Sequence, residues 1–198
     1  MNEAKLIESA QHGQVNAFNE LVLHYQDQVY NLAYRIMGDP ASAADAAQDA
    51  FISAYQSIER FRGGSFKSYL MRIVANKCYD ELRRRKRRPA TSFEDFGDLD
   101  KEANPALIDE SEGPEDRAER QAMVRLIQAG IETLPPDQRV TLVLREVQGL
   151  SYQEIAEAMD AALGTVKSRL ARARGKLRDY LRQQGELLPR RYRLEDEE

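Results

Sequence analysis

Thiol and imidazole chemistry is nearly absent from this chain: 198 residues hold one cysteine, Cys78, and two histidines, His12 and His24. One thiol excludes an internal disulfide framework, and two separated histidines give no zinc-ligand spacing. Cys78 reads as an ordinary helical residue, and no metal or cofactor is expected. Long apolar runs are missing as well. Nothing approaches the roughly 18 apolar residues of a membrane span, and the N-terminus MNEAKLIESAQ lacks the apolar core of a secretion signal. The expectation is a soluble cytoplasmic protein with no membrane span. There is no nucleotide-binding glycine loop and no nucleophile paired with a base, so no enzyme is expected. The 7 prolines and 11 glycines are unevenly placed, which favours two small domains over one.

What the chain does have is segregated charge. A net charge of −4 would argue against nucleic acid if it were evenly mixed, but binding follows the local field. Arg83 to Arg88 is an unbroken basic run. Near the C-terminus Lys167, Arg169, Arg172, Arg174, Lys176, Arg178 and Arg182 face only Asp179. Between these zones lies the acidic stretch Glu94 to Glu119, and the chain closes on Glu195, Asp196, Glu197 and Glu198.

Apolar spacing predicts helices throughout. A short one over Asn2 to His12 precedes a long one over Asn16 to Met37, where Phe18, Leu21, Val22, Tyr25, Val29, Leu32, Ala33 and Ile36 recur at helical intervals. Gly38 stops it, and Asp39-Pro40 supplies an N-cap and a first-turn proline for Ala41 to Ile58. In that third helix, alanines 43, 46, 47, 50 and 54 permit close packing. Asp45, Gln48, Asp49, Ile52 and Tyr55 form another face, either solvated or a docking surface. Ser65 caps a helix that ends before Pro89. Phe66, Leu70, Ile73, Val74 and Leu82 can face the bundle, while Lys67, Tyr69, Arg72, Asn76 and Asp80 line the other side. Aromatic and amide groups beside arginines suit unpaired bases, and the basic end suits phosphates.

From Pro89 to about Pro114 apolar residues thin out, which reads as a flexible linker in which Leu107 and Ile108 are candidates for a transient contact. Helical pattern returns at Asp116 to Glu132, and again after Leu134-Pro135-Pro136 with Val140, Leu142, Val143, Leu144 and Val147. Ser151 and Glu154 then form a capping box for a helix over Tyr152 to Met159. After a break at Asp160 to Leu163, Val166, Leu170, Ala173, Leu177 and Leu181 make one buried stripe. Ser168, Ala171 and Arg172 lie opposite it, with Lys167 and Arg169 on its flanks. This is the pattern of a helix-turn-helix. Lys167 and Arg172 can reach guanine edges, and the helix N-terminus with Thr165 can hold a phosphate.

These residues resemble one family closely, the extracytoplasmic-function (ECF) sigma factors of the sigma-70 class. LPPDQRVTLVLREVQGLSYQEIAEAMDAALGTVKSRLARARGKLRDYL is similar to region 4, and DAAQDAFISAYQSIERFRGGSFKSYLMRIVANKCYDELRRRKRRP is similar to region 2. The resemblance implies an all-α protein of two small helical domains: region 2 at 1–90, an acidic linker at 91–115, region 4 at 116–183 and a charged tail at 184–198. It implies a monomer that binds core RNA polymerase, at the clamp coiled coil of the largest subunit and at the flap, together with promoter DNA and a cognate anti-sigma factor. The face bearing Asp45, Gln48, Asp49, Phe51 and Tyr55 would dock on the clamp. Phe61, Arg62, Lys67, Tyr69, Arg72, Asn76, Arg83 and Arg84 would bind the minus-ten element and capture an unstacked base. Thr165, Lys167, Ser168, Arg169 and Arg172 would read the minus-thirty-five element. Three positions depart from the family: Ala162 stands where proline is frequent, Tyr69 where tryptophan is common, and the loop Arg62-Gly63-Gly64-Ser65 is short. A conventional helix-turn-helix regulator that binds duplex DNA without polymerase is the alternative, and a helical scaffold for acidic proteins is a more distant one.

Overall fold

A computed structural model describes residues 2–87 and 113–184. Arg88, nearly all of the expected linker with Leu107 and Ile108, and the tail beyond Gln184 lie outside the described residues. Among those described, the chain is helical, with one 3-10 turn and no strand. No described helix is long and apolar enough to cross a membrane.

The first domain comprises α1 (Glu3–Gln11), α2 (Val15–Met37), α3 (Pro40–Ser57), the 3-10 turn Ile58–Arg60, and α4 (Phe66–Arg87). Its helix ends follow the capping chemistry of the sequence. Gly38 ends α2 at φ +85°, a left-handed conformation that suits glycine. One residue on, the Asp39 carboxylate accepts the Ser42 N–H at 2.8 Å and starts α3. Ala43, Ala46, Ala47, Ala50 and Ala54 are all buried, so α3 lies close on α2 and α4. The core-facing residues of α4 include Met71, Ala75 and Cys78 beyond those expected, whereas Ile73 is half-buried. Burial pushes the Cys78 thiol up to about 12, which leaves it unreactive at neutral pH.

The second domain comprises α5 (Pro114–Glu132), α6 (Pro136–Glu146), α7 (Tyr152–Ala158) and α8 (Leu163–Gln183). α5 begins two residues before the expected Asp116 because Pro114 suits a first helical turn. The capping box is formed: Ser151 Oγ accepts the Glu154 N–H at 3.2 Å, and the Glu154 carboxylate accepts the Ser151 N–H at 2.8 Å. Val166, Leu170 and Ala173 of α8 are buried, and Leu177 packs on the same core. Ala162, at φ −64°, already holds the dihedral that a proline would impose.

The sequence pattern gives no sign that the two domains pack on each other, yet they do. α4 lies against α6 and α7, and α2 against α5 and α6. A helix leaves its last carbonyls without intrahelical partners, and at the end of α2 the second domain supplies them. Gln128 Nε2 donates to the Arg35 carbonyl at 3.4 Å, and Arg139 Nη1 donates to the Ile36 carbonyl at 3.0 Å. The same guanidinium reaches the Glu132 carbonyl and, at 3.4 Å, the Leu134 carbonyl at the end of α5. Burial draws the Arg139 pKa below its ordinary value and the Glu132 charge opposes that; the group stays cationic at neutral pH. A cation set at two helix C-termini is favoured by both helix dipoles.

Arg139→Met keeps the apolar stem and removes every donor. The expected outcome is a loss of about 1–3 kcal/mol in urea unfolding, with the two halves melting in separate transitions. An unchanged midpoint and a single transition would contradict the role given to this seam.

Candidate nucleic-acid interface

Three surfaces collect the residues singled out in the sequence. The first is a cavity of about 350 Å³ at the start of α4. Phe61, Arg62, Tyr69 and Arg72 line it, so four of the eight expected minus-ten residues converge there. The Tyr69 ring lies 5.1 Å from that of Phe61 and 5.7 Å from that of Phe66, and the Arg72 guanidinium sits 5.9 Å from the Tyr69 ring centre. Tyr69 is held at its far end too, since its hydroxyl shares a 2.6 Å hydrogen bond with Ser57 Oγ. The ring is therefore a fixed wall of the cavity. Gly63 and Gly64, at φ +96° and +89°, turn the chain sharply around the mouth, as glycine allows.

Lys67 and Asn76 are exposed on α4 but do not line the cavity. Arg83 and Arg84 lie at the far end of the helix, where intrahelical chemistry occupies much of the basic run. Arg84 meets Glu81 at 2.6 Å, and the Arg83 guanidinium lies 5.4 Å from the Tyr79 ring centre. Arg85 is tied most closely, to Glu81 at 3.0 Å, to Asp39 at 3.3 Å and to the Ser42 hydroxyl. Five further residues that the sequence pattern does not single out for this site also line the cavity: Arg60 and Ser68 from the first domain, and Leu150, Glu154 and Glu157 from the second. Ser68 Oγ donates to Glu154 Oε1 at 3.4 Å across the seam. Ser68 stands one turn before Arg72, so helical spacing could have found it. Only tertiary packing brings in α7.

The second surface is a groove between α3 and α4. Asp45, Gln48 and Asp49 line it opposite Lys77, Asp80, Arg84 and Arg85. Tyr55 is exposed further along α3, its ring 5.1 Å from that of Phe18, and Ile52 beside it is 48% exposed. Phe51 departs from the expected docking face. It falls one turn after the buried Ala47 and packs half-buried against the core.

The third surface is α8. Lys167 and Arg172 are exposed and have no ion-pair partner among the described residues; Thr165 and Ser168 are half-buried, and Ser168 Oγ donates to the Thr165 carbonyl at 3.0 Å. Arg169 differs from these, being paired with Asp137 of α6 at 3.2 Å. Arg174 is likewise held by Glu146, at 2.6 Å. Among the described residues no cluster of histidine, cysteine, aspartate and glutamate could hold a metal ion.

Residues 21–88 match the family model for sigma-70 region 2, and residues 125–177 match that for sigma-70 region 4. The chain is 39% identical over 173 residues to RNA polymerase sigma-H factor of Pseudomonas aeruginosa, covering 87% of this chain and 90% of that protein. It belongs to the ECF group of the sigma-70 family. This sigma factor is also 37% identical over 175 residues to the ECF RNA polymerase sigma-E factor of Escherichia coli K12, covering 88% and 91% of the two chains. In fold it is similar to the sigma factor RpoE solved in complex with the anti-sigma factor NepR from Bartonella quintana. That similarity has a TM-score of 0.58 at 24% identity and covers 83% of this chain and 96% of that one. The chain is thus a transcription-initiation factor, and α1 lies outside the residues matched to region 2.

The ties around Arg85 carry a pH dependence for the sigma factor. Partial burial alone would raise the Asp39 pKa, but the Ser42 hydrogen bonds and Arg85 outweigh it and the net shift is downward. At Glu81, likewise, burial raises the pKa and the bonds from Arg85 and Arg84 bring it below its ordinary value. A depressed carboxylate contributes stability that is fully present above its unfolded pKa and is lost as pH falls through the folded value. Urea midpoints measured across acid pH should therefore fall once pH drops below about 4, and more shallowly in Asp39→Asn. Parallel curves for the two proteins would contradict the Asp39 assignment.

Proposed function

We propose that this sigma factor is a cytoplasmic, monomeric promoter-specificity subunit that binds core RNA polymerase and helps to open DNA at the minus-ten element. The observation that carries the reading is the convergence of Phe61, Arg62, Tyr69 and Arg72 on one cavity. Aromatic walls and guanidinium groups offer stacking and charge to an unpaired base and its phosphates. Extruding a base costs a few kcal/mol, so a cavity that returns a similar amount favours the open duplex. Lys67 and Asn76 flank its approach along α4, and Arg83 and Arg84 add to the positive field at the far end of that helix. The α3 face of Asp45, Gln48, Asp49 and Tyr55 docks on the clamp coiled coil of the polymerase, and the second domain meets the flap. Thr165, Lys167, Ser168 and Arg172 of α8 read the minus-thirty-five element. Arg169 chiefly braces α8 against α6. A cognate anti-sigma factor is the further expected partner.

The packed arrangement cannot be the one that acts on a promoter. The two elements are about 25 base pairs apart, roughly 85 Å of duplex at 3.4 Å per pair, whereas a folded chain of this length has a radius of gyration of about 16 Å. Glu154 and Glu157 also line the base cavity, where their carboxylates repel an entering phosphate. The seam between the domains therefore opens on the polymerase.

Run-off transcription with core polymerase over a randomised promoter library tests the reading. Two enriched elements at fixed spacing, dependent on the chain, support it; no transcription above core alone overturns it. Arg172→Ala should cost about 1–3 kcal/mol on templates with an intact minus-thirty-five element, while Arg169→Ala should lower thermal stability more than promoter affinity. Equal losses of transcription on every template would remove Arg172 from base reading. Asp49→Arg should weaken binding to core, read by titration, and leave the helical circular-dichroism spectrum unchanged; unaltered affinity would remove the α3 face.

A further inference from the structure

Gln11, the last residue of α1, lies outside the residues matched to region 2 and in none of the three surfaces. Its side-chain amide nevertheless reaches the backbone of Phe61, a residue that lines the base cavity. Nε2 donates to the Phe61 carbonyl at 2.8 Å and to the Ile58 carbonyl at 3.1 Å. Those two carbonyls bracket the 3-10 turn that delivers the chain into the loop Arg62-Gly63-Gly64-Ser65. The Phe61 N–H closes the turn on the Ile58 carbonyl at 3.0 Å, so one amide group pins both ends of it.

The loop has reason to need such a pin. A side chain built at Gly63 or Gly64 would meet nothing within 4 Å, so packing does not confine the mouth there. At its far end the loop is held by Ser65, whose hydroxyl and carbonyl accept the Ser68 and Tyr69 N–H groups, both at 3.1 Å. At its near end the anchor is Gln11. α1 can serve as a brace because it is itself tied down: Ala10 is buried, Asn2 caps its first turn, and Glu3 accepts a hydrogen bond from the Tyr25 hydroxyl. Burial and that bond push the Tyr25 pKa up to about 12, which keeps the donor protonated.

We propose that Gln11 is a positioning residue for base capture, fixing the Phe61 carbonyl and through it the placement of Phe61 and Arg62 at the cavity mouth. The inference rests on the reading that this cavity receives the unpaired minus-ten base. It assigns α1 a part in DNA recognition without contact to DNA.

The test uses the full chain assembled with core polymerase and a fork-junction DNA whose unpaired minus-ten positions carry each of the four bases in turn. Gln11→Met keeps the length and removes the donors; Gln11→Lys restores a donor able to reach both carbonyls. The Met variant is expected to bind fork-junction DNA about tenfold more weakly, as the loss of two backbone-directed hydrogen bonds allows. It should also discriminate less among bases at the captured position, with core affinity unchanged, and the Lys variant should recover most of both losses. Wild-type affinity and base discrimination in the Met variant would overturn the proposal. So would a loss equal for all four bases that Lys does not rescue, which is the mark of a merely structural role. Tyr69→Ala runs in parallel: if it alone weakens fork binding, only the Gln11 proposal fails, and if neither variant does, the cavity reading fails with it.

Discussion

One guanidinium sets the arrangement on which the rest of this sigma factor depends. Arg139 sits where the end of α2 meets the end of α5 and donates to carbonyls of both, Ile36 on one side and Glu132 and Leu134 on the other. Helix ends are where an all-α protein leaves backbone groups unsatisfied. Here the end of one domain is completed by a side chain of the other, and Gln128 repeats the pattern beside it. Apolar burial brings α2 and α4 against α5, α6 and α7, but it is non-directional; these hydrogen bonds select one orientation. Gly38 shows how close the approach is, since a Cβ there would lie 2.7 Å from the Glu132 side chain.

That orientation gives the cavity at the start of α4 its second wall. The first domain contributes aromatic rings and arginines, the second contributes Glu154 and Glu157, and Ser68 bonds to Glu154 across the gap. The capping box at Ser151 thereby has two roles. It starts α7, and it sets a carboxylate in the wall of that cavity. Region 2 and region 4 thus meet through the cavity that Phe61, Arg62, Tyr69 and Arg72 line. Elsewhere the charge is narrower than a count of basic residues suggests. Arg84, Arg85, Arg169 and Arg174 are each paired with a carboxylate, while Lys167 and Arg172 remain open on α8.

Most of the helices were legible from the sequence because their signals are local: Gly38, Asp39-Pro40, Ser65 and the Ser151 capping box all end or begin helices where their chemistry requires. The site was legible in part. Phe61, Arg62, Tyr69 and Arg72 were found through helical spacing and family resemblance, and the structure brings them together. Phe51 is less exposed than its helical position suggests because it lies on the flank between the exposed and buried faces of α3, where a helical wheel cannot decide exposure. The ion pair of Arg169 was not legible because its partner Asp137 is 32 residues away in sequence and adjacent only in the fold. The same limit hid Glu154 and Glu157, which line the cavity, and Gln11, which bonds to the backbone of Phe61, all from elements distant in sequence.

Energy transfer between dyes on the two domains tests this account most directly. Gln56→Cys on α3 and Gln183→Cys on α8 place labels at exposed positions, and the fully buried Cys78 does not compete for them. Transfer should be efficient in the free chain and should fall when core polymerase and promoter DNA are added together. A free chain whose domains are already apart, or efficient transfer that persists in a transcribing complex, would contradict it.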